Sequence, residues 1–417
     1  MVGYGQIIRE NRNFRNLWLG QVVSMFGDWF NLIASAALIA LFTESGLAVG
    51  ALFVVRMLAP FLASPIAGVV ADRYNRKWIL IGSDIIRSLT AFSFLFVREP
   101  QHVWLIYVLT IIQMGVSGFF APTYNAFLPD IVTSKELGTA NALSAITWSV
   151  MLAVGSAVGG LVSGVFGIYT AFTIDGFTFL LSIFFLMRMS YTPAPIETEQ
   201  QVSAAIKEYI DGLKYLKNHA DIFVIVFHKA FVTFTTWSGI HVVQVIIAEE
   251  IFVLGEGGSI SLGLMFAFNG LGSSLGPVIT RYWTKDQDRP TRRMITLSYL
   301  VSALGLAIAA TLFNLPMVLL GVFLIGIGGG TIWVFSTQLL LQLLPSQMRG
   351  RVLSVQLALH TLFSAIAATI IGLLVDTGLT VAQILWGNAL VALVPAVIWG
   401  VWLAVGQLSL EFVVEGE

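Results

Sequence analysis

Long apolar runs separated by short polar turns dominate the chain. Taken as spans of roughly 20 residues, they number twelve. The first half gives Leu17 to Phe42, Leu47 to Ala71, Trp78 to Val97, Val103 to Ala121, Leu137 to Val165 and Ile168 to Met189. The second gives Ile222 to Ala248, Ser259 to Tyr282, Met294 to Leu312, Met317 to Leu344, Val352 to Val375 and Val381 to Val405. The one long polar connector, Ser190 to Ala220, holds YTPAPIETEQQ and then an amphipathic, Lys-bearing piece. The pattern predicts an all-α membrane protein: an N-terminal six-helix bundle over 1–189, a linker over 190–221 and a C-terminal six-helix bundle over 222–417.

The turn with the most charge is GVVADRYNRKWIL, Gly68 to Leu80. Asp72, Arg73, Arg76 and Lys77 between two membrane-length runs fit a hairpin at a membrane surface. Gly68 is expected to let helices approach closely, and Asn75 to sit in the turn, where Asn tolerates positive φ.

Charge placement tests the count of spans. With a cytoplasmic N-terminus, the inner side collects Arg9, Arg12, Arg15, Arg73, Arg76, Lys77, Lys135, Arg188, Lys207, Lys214 and Lys217. The second half adds Arg281, Lys285, Arg289, Arg292, Arg293, Arg349 and Arg351, making 18 of 22 basic residues, while the outer loops hold only Arg98. This is the asymmetry of a multi-pass protein with both termini cytoplasmic.

The halves also repeat. SPIAGVVADRYNRKWI pairs with LGPVITRYWTKDQDRPTRRMI, and FLPDIVTSKELGTANALSA with LLPSQMRGRVLSVQLAL. Pro65 to Pro277 is 212 residues and Pro129 to Pro345 is 216, as a duplicated six-helix unit requires.

Composition sharpens this picture. Only 11% of residues are charged and 57% are hydrophobic, against about 25% charged in soluble proteins, so lipid is the solvent. A net charge of −1 gives no electrostatic case for nucleic acid, and the absence of cysteine removes disulfides and thiolate sites. The basic N-terminus leads into an apolar segment too long for a signal peptide, so it is expected to stay as the first helix. Gly326, Gly328, Gly329 and Gly330 lie inside a span with no preceding strand, which argues helix packing rather than a dinucleotide site. With no phosphate-binding loop either, an enzyme is not expected, nor a cofactor; energy must come from a gradient or an outside partner.

The hairpin resembles the loop signature of the major facilitator superfamily at Gly68, Ala71, Asp72, Arg73, Arg76, Lys77 and Leu80, departing at Val70 and Asn75. LGQVVSMFGDW, IGSDIIRSL, FLPDIVTSKELGTANAL and IDGFTFLLS resemble the drug:proton antiporter group that includes macrolide-efflux and enterobactin-export proteins. Gly155, Gly159 and Gly160 partly match the antiporters' helix-five signature, with Ser156 in place of Pro. The resemblance implies the major facilitator fold and rocking of two halves around a cavity lined by helices one, four, seven and ten.

Polar groups at membrane depth are the candidate chemistry. Asp28 costs about 2.5 to 3.5 kcal/mol at a span's centre, so it should face a cavity or a partner; a proton role and a structural hydrogen bond both fit. His241 can carry or release a proton. The two form the candidate coupling pair. Gly68, Asp72, Arg73, Arg76, Lys77, Asp84 and Arg87 form a candidate cytoplasmic gate, the alternative being an ion-pair network needed only for folding. Arg56 falls under that alternative, Asp175 is expected to be structural, and His228 and Lys229 to mark a cytoplasmic helix end with Lys229 snorkelling.

Gln21, Asn31, Gln113, Tyr124, Asn125, Trp237, Gln244, Trp333 and Gln338 are candidate cavity residues, aromatic faces that can hold a cation by π attraction beside a few amides. Interface anchoring and helix tying explain each of them separately. Asp28, His241 and His360 allow a minority reading as a metal site. The whole indicates a monomeric, proton-coupled exporter of an amphipathic drug-like or siderophore-like molecule in the cell's inner (plasma) membrane. A lipid or divalent-metal exporter on the same fold, or a non-transporting membrane sensor, is the alternative.

Overall fold

The computed structural model describes residues 3–191, 202–236, 238–285 and 287–404. Twelve helices are long and apolar enough to cross a membrane. In the first half these are α1 (Arg12–Thr43), α2 (Gly46–Ala71), α3 (Arg76–Phe96), α4 (Pro100–Ile131), α5 (Ser134–Phe166) and α6 (Ile168–Met187). The second half supplies α7 (Ala220–Ile251, Trp237 lying outside the described residues), α8 (Glu256–Thr284), α9 (Asp288–Ala310), α10 (Leu315–Leu343), α11 (Ser346–Asp376) and α12 (Val381–Leu403). Every predicted span is present, and no strand occurs among the described residues.

Helix ends run past the apolar windows because caps, not hydropathy, set them. Asn11 caps α1, accepting from the Phe14 N–H at 2.9 Å. Thr133 and Glu136 close a capping box at the start of α5. Two expectations for the hairpin need correction. Asn75 has φ −61°, not positive; its side chain accepts from the Lys77 N–H at 3.0 Å and caps α3. A Cβ on Gly68 would meet nothing within 4 Å, so that glycine serves no close approach. Close approach occurs on α10, where a Cβ on Gly326 or Gly330 would run into the backbone carbonyls of Asn269 and Ser273 on α8.

Two compact units divide the described chain. One draws on Met1–Glu44, Val55–Val202 and Ala248–Ala267, the other on Ser45–Val54, Ser203–Ile247 and Phe268–Glu417. Within the units, packing repeats at a spacing of six helices: α3 on α6 matches α9 on α12, α3 on α4 matches α9 on α10, and α1 on α5 matches α7 on α11. The duplication seen in the sequence is therefore also one of packing. In the first unit, glycines of α5 seat α1: Gly155 and Gly159 lie against Trp29 and Phe30. In the second, the linker helix Val202–Asn218 docks on the start of α11, Arg351 lying 3.7 Å from Asp211. There too Asp376 at the end of α11 accepts from the N–H groups of Gly46 and Leu47 at 2.7 and 3.2 Å, satisfying the first turn of α2.

Candidate functional site

The first unit buries a charged cluster. Asp84 and Arg87, three apart on α3, face one way, and their ion pair measures 3.4 Å. Arg87 Nη2 reaches both oxygens of Asp28 on α1, at 2.7 and 2.6 Å. The guanidinium lies 4.2 Å over the Phe179 ring of α6, and the other Asp84 oxygen accepts from Ser182 at 2.6 Å. α6 can come this close because α1 has no side chain at Gly27: a Cβ there would overlap the Thr178 hydroxyl and stand 2.5 Å from Asp175 Oδ1. Asp175 accepts from Gln113 of α4 at 3.1 Å, tying α4 to α6.

Burial makes this pairing necessary. Asp84 is 0% and Arg87 2% exposed, and an unpaired charge at such depth costs several kcal/mol. Asp28 differs: its side chain stays 25% exposed. It lines a cavity of about 160 Å³ with Met25, Trp29, Arg56, Met114 and Trp148. Arg56 brings a second guanidinium there, and its Nη1 is buried without a partner. Three carboxylates, Asp28, Asp84 and Asp175, thus share the cluster with two guanidiniums. Arg56, expected to matter only for folding, stands at the cavity beside Asp28.

The second unit holds a different arrangement. Lys229, expected to snorkel, holds its ammonium 3.7 Å from the centre of the Trp333 ring and donates to Thr337 at 3.0 Å. Lys229, Trp333, Thr337, Gln338 and Gln342 line a cavity of about 460 Å³. His360 meets the same tryptophan edge-on at 4.8 Å and shares a 2.6 Å hydrogen bond with Thr233. His228, expected at a helix end, is buried against Tyr299 and Trp399.

The charged hairpin makes contacts of its own within the first unit. Arg76 pairs with Asp130 at 2.6 Å, and the Tyr191 hydroxyl donates to the same carboxylate at 2.7 Å. Burial first, then the hydrogen bond to and charge of Asp130, push the Tyr191 phenol up to about 12. Lys77 donates to the carbonyls of Met187 and Met189, a cation on the C-terminal end of α6. Arg73 is exposed, and the side chain of Asp72 lies outside the described residues. The residues expected to form one gate thus fall into two groups, since Asp84 and Arg87 bind each other, Asp28 and Ser182 rather than Arg76 or Lys77.

The remaining candidates have the following surroundings within their own units. Gln113 is wholly buried as a tie between helices, and Gln244 is buried with both amide atoms unpaired. Asn31 is buried and accepts from Ser35. Gln21 is half-buried and Asn125 exposed. Tyr124 bonds Ser144 at 2.7 Å. His241 packs on Phe53 at 5.5 Å in the second unit, whereas Asp28 belongs to the first. Trp237 lies outside the described residues. Among the described residues no three His, Cys, Asp or Glu gather as metal ligands.

Residues 17–287 match the profile of the Major Facilitator Superfamily. The chain belongs to that superfamily. Among similar proteins, the MFS-type transporter YfiS of Bacillus subtilis (strain 168) is 31% identical over 51% of either chain. The bacilysin exporter candidate BacE of the same organism is 24% identical over 96% of this chain and 95% of its own. Macrolide efflux protein A of Streptococcus pyogenes is 28% identical over 39% of this chain and 40% of its own. A point mutant of the nucleoside transporter NupG superposes with a TM-score of 0.75 at 13% identity, covering 93% of this chain and 99% of its own. This major facilitator protein is accordingly a multi-pass membrane transporter, with twelve helices in two pseudo-symmetric six-helix bundles.

Proposed function

We propose that the protein is a proton-coupled exporter working by alternating access, in the plasma membrane with both termini cytoplasmic. Its cargo is an amphipathic small molecule, in keeping with relatives named for bacilysin export and macrolide efflux. The observation that carries the coupling is Asp28, the one carboxylate of the charged cluster that lines a cavity while bound to Arg87. A proton arriving through the cavity neutralises Asp28 and frees one arm of Arg87, which keeps Asp84. Losing the proton restores the grip. Two arrangements of one arginine, selected by one proton, are what an exchange cycle requires. The basic asymmetry of the loops supports the orientation. Arg76 with Asp130 and Tyr191, and Lys77 on the end of α6, fasten the hairpin and serve as its cytoplasmic latch. Proteoliposome flux under an imposed pH gradient tests the coupling, with Asp28→Asn as the variant that cannot exchange the proton.

A further inference from the structure

We infer that the cavity at Lys229 and Trp333 recognises an anionic group on an amphipathic ligand. The inference rests on the transport reading for its purpose but not for its test. An aromatic face in such a cavity ordinarily favours a cation. Here the protein's own ammonium already covers that face, 3.7 Å from the ring centre of Trp333.

What remains for a ligand is the positive charge itself. Among the described residues Lys229 has no carboxylate partner, and the cavity is lined without any acidic side chain. One of its three N–H donors goes to Thr337, which leaves donors for an incoming oxyanion. Gln338 and Gln342, four apart on α10, add amides along the same face. Val334 and Leu341, each 42% exposed, extend the cavity with an apolar wall. A cationic head with an apolar wall fits a molecule that has an oxyanion at one end and a hydrocarbon or aromatic body. A cationic ligand would meet the ammonium instead of the tryptophan face.

Equilibrium dialysis of the purified full-length chain in detergent, corrected for empty micelles, tests this with three matched probes. These are naphthalene-1-sulfonate, its neutral sulfonamide and a naphthylmethyl-trimethylammonium. The sulfonate is expected to bind about tenfold tighter than the sulfonamide, as a charge-assisted hydrogen bond gives. Lys229→Gln should erase the preference, Lys229→Arg keep it, and Thr337→Val, which leaves the charge, alter it by no more than about threefold, the weak end of one neutral hydrogen bond. Raising the salt concentration should weaken the sulfonate alone, which tests the unmodified protein whatever the fate of the variants. Equal binding of sulfonate and sulfonamide, tighter binding of the ammonium probe, a preference that survives in Lys229→Gln, or one indifferent to salt overturns the inference. Dialysis reads binding without transport. Loss of anion preference therefore sinks the subsite alone, and absent gradient-driven flux with the preference intact sinks only the antiport reading.

Discussion

Arg87 grips Asp28 through one nitrogen, Nη2 standing 2.7 and 2.6 Å from the two carboxylate oxygens, while Nη1 keeps Asp84 at 3.4 Å. One buried cation therefore serves two helices. Removing it leaves Asp84 buried and uncompensated, so Arg87→Met should destabilise the protein by about 3 kcal/mol. Asp84→Asn added to Arg87→Met should recover part of that loss. Thermal unfolding in detergent reads both, and equal stability of Arg87→Met and the parent would refute the pairing's importance.

Packing at Gly27 gives a second expectation. A Cβ there would overlap Thr178, whereas one on Gly82 of α3 would meet nothing within 4 Å. Gly27→Ala should cost about 1 to 3 kcal/mol by overpacking. Gly82→Ala should be neutral or slightly stabilising, since Ala is the better helix former. The difference in unfolding temperature between the two variants decides it.

The contacts of Tyr191 at the hairpin carry a pH signature. The Tyr191 phenol is raised to about 12 from about 10 in an unfolded chain. The folded protein thus holds this proton more tightly, and the stabilisation is complete below about pH 10 and is lost as pH rises towards 12. Ultraviolet phenolate titration of the parent minus Tyr191→Phe should isolate a late-titrating tyrosine, and Asp130→Asn should bring it earlier. A Tyr191 that ionises near 10 would contradict the contact.

The fold was legible because lipid imposes a strong rule: each span must be a helix of about 20 apolar residues with basic residues held back on one side. The polar positions were less legible, because sequence gives depth but not direction. Asp28 and Arg87 are 59 residues apart, and nothing local to either indicates that they meet. Gln113 and Asn125, both on α4, looked alike as cavity amides, yet one is buried against Asp175 and the other exposed. For Lys229 the signal lies in where the basic residues fall along the chain. Once the inner residues and Arg98 are set aside, Arg56, Arg87 and Lys229 are the three basic residues left. Each of the three lies at one of the two charged sites.

The central claim is that Asp28 couples proton movement to export. The most direct measurement is flux of neutral, anionic and cationic fluorescent amphiphiles in proteoliposomes, with and without an imposed pH gradient. The account predicts that at least one probe is driven against its own gradient, that a protonophore abolishes this, and that Asp28→Asn retains folded protein but loses the gradient dependence. Gradient-driven flux undiminished in Asp28→Asn, or no probe responding to the gradient in the parent protein, would contradict it.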